Sequence, residues 1–230
     1  MADTAVFGPG LPSSPPEGPH PRTAARIDEH GPTLLRAHLA RLEKASGLKL
    51  PWLMALEPSI QTWAGSSSAM LRLSLDPAGQ VLYALREPLP PTPNPYRLLP
   101  MPHPLGWIDP SRQKGMDGRW GLRLLDQAQR LGAADALLLW GDGSVAETAI
   151  ASLALEWGDS LLLPPQAGRV EGLGERLLLP AWAEERHLRI VHRPFTLREA
   201  QTHPLWCVNA VRGVWRAELH LPASSTDSQT

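Results

Sequence analysis

Two hundred and thirty residues make one large domain or two small ones, and an apolar share of 43% is enough to bury a core. The 22 basic and 23 acidic side chains leave a net charge of −1, which removes any electrostatic reason to expect nucleic acid or an anionic membrane as a partner. One cysteine, Cys207, permits neither an internal disulfide nor a cysteine-rich metal site, and no run of about 18 apolar residues is present to span a membrane.

The opening residues lack a basic stretch followed by an apolar one, so they do not read as a secretory signal, and the expected location is cytoplasmic. Residues 1–25 read as a flexible, proline-rich lead, because Pro-Ser-Ser-Pro-Pro-Glu-Gly-Pro-His-Pro suits neither a helix nor a central strand. After Thr33, Leu34, Leu35, His38, Leu39 and Leu42 recur at helical spacing, with Pro32 before them and Gly47 after. Residues 69–75 alternate apolar and polar, 76–79 make a turn, and 81–85 return, which predicts a hairpin. Eight prolines in the eighteen residues of 87–104 read as a linker. The boundary is placed there, giving a small unit over 26–103, a larger one over 104–220, and a disordered tail over 221–230. In the larger unit the pattern predicts a helix over 118–131, a buried strand over 136–140 and a hairpin from 149–155 and 160–163. Beyond it come a helical stretch over 175–186 interrupted at Pro180, a strand over 188–192, a short helix over 197–201 and a strand over 205–208. The fold class is α+β, with mixed sheets and neither a regular βαβ alternation nor an internal repeat.

Little chemistry shows without a family to compare. No Walker loop or dinucleotide fingerprint is present, and Gly172-Leu173-Gly174 is too short a fragment to carry meaning alone. The eight histidines lack metal-ligand spacing, so no metal is expected. Cys207 sits in an apolar strand and reads as a buried, inert thiol. Only three lysines occur, Lys44, Lys49 and Lys114. The first two flank the end of the first helix, where a cation is favoured. Lys114 precedes a helix in Ser-Arg-Gln-Lys-Gly-Met-Asp-Gly-Arg. A loop lysine is usually solvated, yet a primary amine is also what condenses with an aldehyde cofactor. Composition leaves both readings open.

Lys114, followed about thirty residues on by Asp-Ala-Leu-Leu-Leu-Trp-Gly-Asp-Gly-Ser-Val-Ala-Glu-Thr (135–148), resembles the class IV aminotransferase family, the fold type IV pyridoxal-phosphate enzymes. Further segments match in order. LLRAHLARLEKASGL (34–48) is similar to the family's small-domain helix, 151–164 to its strand hairpin, VEGLGER (170–176) to its L-x-G-I-T-R, and WCVNAVRGVW (206–215) to its last phosphate-side segment. The resemblance spans roughly 26–219. It implies a two-domain fold like that of D-amino acid aminotransferase, with a small α/β N-terminal domain and a larger β-rich C-terminal one. It also implies pyridoxal 5'-phosphate, a small-molecule substrate and a homodimer. NAVRGV (209–214) resembles the aminodeoxychorismate lyase branch, whose members convert 4-amino-4-deoxychorismate to p-aminobenzoate and pyruvate in folate biosynthesis, with aminodeoxychorismate synthase as a possible partner. An amino-acid aminotransferase and a catalytically eroded binding protein are the alternatives.

The resemblance assigns roles residue by residue. Lys114 would carry the cofactor and then move protons as general acid and base. Glu147 would face the pyridine nitrogen and keep it protonated by charge pairing. Arg41 would grip the phosphate, for which a guanidinium fork is suited, although it also reads as a wet-face helix charge. The backbone amides of Leu173 and Gly174 would form one phosphate loop, and Asn209 and Ala210 a second that also approaches substrate. Arg72 on the small-domain strand would meet a substrate carboxylate, or is a surface arginine. The sequence departs from the family pattern at several points. Arg22-Thr23-Ala24-Ala25-Arg26 stands where the family has F-E-T-x-R, Gly174 replaces a threonine, Arg119 replaces a tyrosine, and Ser152 or a neighbour an asparagine.

Overall fold

The computed structural model describes residues 2–10, 20–104, 119–167, 169–170 and 172–221. The first unit contains β1 (Asp3–Phe7), β2 (Arg22–Asp28), β3 (Gly31–Pro32), α1 (Leu35–Ser46), α2 (Pro51–Ala55), α3 (Glu57–Ala64), β4 (Ala69–Leu75) and β5 (Leu82–Glu87). Its strands pair antiparallel in the order β1-β5-β4-β2-β3. The period of two along β4 decides which face is covered: Leu71, Leu73 and Leu75 are buried while Arg72 is exposed. Against that apolar face α1 lays Leu35, Leu39 and Leu42, joined by Leu53 of α2 and Ile60 of α3. The helix ends where Gly47, at φ 69°, bonds its N–H back to the Lys44 carbonyl. His38 is fully buried on α1 and shares a 2.6 Å hydrogen bond with Thr23 Oγ1, tying the helix to β2.

Two expectations are corrected in this unit. The predicted lead over 1–25 contains β1 and the first half of β2, because the prolines are confined to 9–21 and leave two alternating runs on either side. In β1, Ala5 and Phe7 face the core, and the whole strand pairs with β5, from Asp3 against Arg86 to Phe7 against Leu82. The two helices over 51–64 were not predicted. Each starts with a proline in its first turn, Pro51 and Pro58, where the missing N–H has no intrahelical role.

The second unit contains β6 (Arg97–Pro102), α4 (Arg119–Arg130), β7 (Asp135–Leu139), β8 (Val145–Thr148), β9 (Ser152–Trp157), β10 (Ser160–Leu163), α5 (Leu173–Leu177), α6 (Leu179–Glu184), β11 (Arg189–His192), α7 (Leu197–Thr202), β12 (Leu205–Asn209) and β13 (Gly213–Leu219). Its mixed sheet runs β11-β10-β9-β12-β13-β6-β7-β8. Alpha-helix α4 covers Leu99, Met101, Ala136 and Leu138, and α6 covers Ala154, Leu161 and Val208 with Leu179 and Ala183. A larger core of Leu98, Leu137, Val145, Leu153, Leu155, Leu205 and Cys207 fills the opposite face. Among the described residues no helix is long and apolar enough to cross a membrane.

The predicted linker over 87–104, with its boundary after 103, is also corrected. Strand β6 lies inside it, between β13 and β7, so the second unit begins at Arg97. Prolines in a central strand need an explanation, and the register supplies one. Arg97 O accepts from Ala134 N and His103 N donates to Leu139 O, so the odd residues of β6 bond toward β7. The even ones face β13, which pairs only as far as Leu98. Pro100 and Pro102 therefore lack their N–H on the side where β13 has already ended.

Candidate active site

The site is organised by a buried corner between β8 and β9. Between the pairs Leu137–Thr148 and Leu139–Val145, two steps along β7 face three along β8, a bulge that re-aims the side chains within it. Glu147 lies in that bulge, 6% exposed. Beside it, fully buried Asp135 accepts hydrogen bonds from Thr148 Oγ1 at 2.7 Å, Tyr96 OH at 3.2 Å and Ala136 N at 2.8 Å. Thr148 Oγ1 in turn accepts from Ala151 N at 2.9 Å. Burial raises the Asp135 carboxyl to about 6, with the Thr148, Ala136 and Tyr96 hydrogen bonds opposing the rise. Burial, and then the Asp135 charge, raise the Tyr96 phenol. The knot fixes residues 148–151 and so the backbone that presents Glu147.

Alpha-helix α5 closes on the same region. A Cβ on Gly174 would meet the backbone carbon of Asn209 at 2.5 Å, and one on Gly172 would meet Ser152 Oγ at 2.7 Å. Glycine at both places lets the first turn of α5 lie directly on the end of β12 and the start of β9. Leu173 and Gly174 are buried there. Asn209 Oδ1 accepts from Val211 N at 3.0 Å and Arg212 N at 2.8 Å, and its Nδ2 donates to Ile150 O at 3.4 Å. Its side chain is thus spent on holding the turn over 209–212 against the Glu147 corner, and half-buried Ala210 sits in that turn.

The loop before α5 carries a pair that the sequence did not reveal. Arg169, with its side chain fully buried, donates to Glu175 Oε2 at 2.6 Å and Oε1 at 2.7 Å, and to Pro164 O at 2.8 Å. Gln166 adds a 2.5 Å bond to Glu175. Pro164, Pro165 and Gln166 meet the pair from before the helix and Glu175 from its first turn, which ties this stretch to the start of α5. Arg and Glu six apart in a glycine-containing loop give no periodic signal, so only the fold exposes them.

The expected residues are therefore only partly assembled. Glu147, Leu173, Gly174, Asn209 and Ala210 come together around the β8–β9 corner, with Ser152 and Gly172 as further members. Arg41 lies half-buried on α1, whose main packing is with β2, α2 and β4. Arg72 projects from the exposed face of β4, about half exposed, and donates at 2.5 Å to Glu87, so its charge is already paired. Lys114 lies outside the described residues. The described donor set fits pyridoxal phosphate: a buried carboxylate suits a protonated ring nitrogen, and backbone brought close by two glycines suits a bulky anion.

The amino-transferase class IV family model matches residues 121–219. Similar structures include a hypothetical aminotransferase from Mycobacterium tuberculosis in its α-ketoglutarate- and PMP-bound form, with 19% identity, TM-score 0.77, and 98% of this chain and 94% of that one covered. Another is a 4-amino-4-deoxychorismate lyase from Pseudomonas aeruginosa, with 21% identity, TM-score 0.72 and coverages of 94% and 90%. A fold IV transaminase from Curtobacterium pusillum shares 15% identity at TM-score 0.72, with 91% and 83% covered. Comparison with curated proteins gives no match. The chain has the fold of the type IV pyridoxal-phosphate enzymes, α+β with two curled sheets, and its second unit carries the class IV amino-transferase sequence pattern.

Proposed function

We propose that this chain is a pyridoxal-phosphate-dependent lyase that converts 4-amino-4-deoxychorismate to p-aminobenzoate and pyruvate. The observation that carries the cofactor assignment is Glu147, a carboxylate held in a buried bulge just before Ile150 and Ser152, on which Asn209 and Gly172 pack. When bound, pyridoxal phosphate supplies an electron sink. Glu147 holds a proton on the ring nitrogen by charge pairing. The α5 start and the 209–212 turn orient the phosphate end, with Arg41 as the cation assigned to it. Lys114 is assigned as the attachment point and as the amine that moves protons to and from substrate. Supporting the lyase reading is the NAVRGV segment, together with a structural neighbour named as a 4-amino-4-deoxychorismate lyase. The neighbours named as aminotransferases favour the second reading, amino transfer between an amino acid and a keto acid. A homodimer and contact with aminodeoxychorismate synthase are part of the proposal.

The test mixes purified protein, pyridoxal phosphate, chorismate, glutamine and an aminodeoxychorismate synthase, and measures p-aminobenzoate. Its formation supports the lyase. Amino transfer to a keto acid without p-aminobenzoate supports the second reading, and neither activity in a cofactor-loaded protein supports the eroded binding protein.

A further inference from the structure

A cleft of about 450 Å³ opens between the linker, the C-terminal half of α4 and the 209–212 turn, within the size range of small-ligand sites. Pro91, Tyr96, Leu125, Gln129, Ile150 and Arg212 are among its walls. Among the described residues Arg212 is the only charged one lining it. The guanidinium carbon lies 5.8 Å from the ring centroids of both Tyr96 and Trp215, beside a T-shaped pair whose own centroids are 5.3 Å apart. Its Nε is buried and has no hydrogen-bond partner among the described residues. An unsatisfied buried guanidinium N–H is unfavourable. Tyr96 directs its hydroxyl to Asp135, so it offers the cleft a ring. The Arg212 backbone is itself fixed by the 2.8 Å bond to Asn209 Oδ1.

We infer that this cleft binds a small organic monocarboxylate with a flat apolar body. The carboxylate would take the Arg212 edge in the two-point geometry a guanidinium offers, and the body would lie between the prolines, Leu125 and Ile150. Among the described residues one guanidinium lines the cleft, and it neutralises one charge. A dianion such as a phosphate monoester would leave its second charge desolvated and unpaired, which selects the monoanion. Nothing in this inference requires pyridoxal phosphate or the lyase reaction.

The experiment is calorimetric titration of the full-length protein with sodium benzoate, and with benzamide as the neutral isostere. Saturable benzoate binding, at least tenfold tighter than benzamide, is expected. Arg212→Gln should weaken benzoate at least tenfold with little change for benzamide, and Arg212→Lys should fall between. Ile150→Trp, which fills the cleft without touching the charge, should abolish benzoate binding. Saturating pyridoxal phosphate should leave the benzoate titration unchanged. Equal affinity for benzoate and benzamide, parent-like binding by Arg212→Gln, or competition by pyridoxal phosphate would each overturn the assignment. Benzoate binding in a protein that takes up no cofactor would leave this inference standing and remove the proposed reaction, while the converse would do the opposite.

Discussion

At the residue scale the account rests on where two buried acids sit. Glu147 is assigned to the cofactor ring, so Glu147→Gln should lower cofactor-dependent turnover by about 100-fold or more while the protein stays folded, measured as kcat alongside thermal unfolding. Asp135 has a structural task and a pH signature. Its folded value of about 6 lies above the ordinary 3.8 because burial disfavours the charge. The folded state therefore holds this proton longer than the unfolded state does. The stability Asp135 contributes is full below about pH 3.8 and is lost as pH rises through about 6. His103 acts in the opposite sense: burial lowers it from 6.5 to about 4, so its contribution is lost as pH falls through that range. The two offset in the parent. Asp135→Asn should expose the histidine effect alone, so urea unfolding at pH 4.5 and pH 7 should show a steeper acid loss in the variant than in the parent. An unchanged difference would contradict the assignment.

At the element scale, α5 is placed by close approach and by a buried ion pair. Gly174→Ala must push α5 away from Asn209, which predicts destabilisation of about 1–3 kcal/mol and weaker cofactor retention. Gly141→Ala, where an added Cβ meets nothing within 4 Å, should change stability by less than about 0.5 kcal/mol. Arg169→Ala leaves the Glu175 charge buried and should destabilise by about 3–5 kcal/mol. Denaturant unfolding of the three variants ranks them. These elements also show what the sequence could express. Amphipathic α1 and the β4–β5 hairpin were legible because their periods survive burial on one face, and the β9–β10 hairpin, buried on both faces, because the Gly158-Asp159 turn separates two short apolar runs. Strands β6 and β1 were hidden by neighbouring prolines, since composition cannot tell which side of a strand a missing N–H will face. Glu147 was singled out through family resemblance, whereas the Arg169–Glu175 pair gives no periodic signal and the Asp135 knot joins residues far apart in sequence. Asn209 was identified, but its side chain closes a turn, which no spacing foretells.

Across the whole molecule, the first sheet is completed by its N-terminal strand. Removing residues 2–10 would strip β1 from β5 and leave the Leu82–Glu87 edge open, an unpaired template for association. The truncated chain should unfold at a lower temperature and scatter light at concentrations where the parent stays clear. The central proposal is that this chain holds pyridoxal phosphate through Lys114 and Glu147. Its most direct test is to load the protein with pyridoxal phosphate, reduce with borohydride, digest, and locate the modified peptide by mass spectrometry. The account predicts a pyridoxyl adduct on Lys114, absent in Lys114→Ala, and a near-violet absorbance band before reduction that weakens in Glu147→Gln. An adduct spread over Lys44 and Lys49, or a band unaltered by Lys114→Ala, would contradict it.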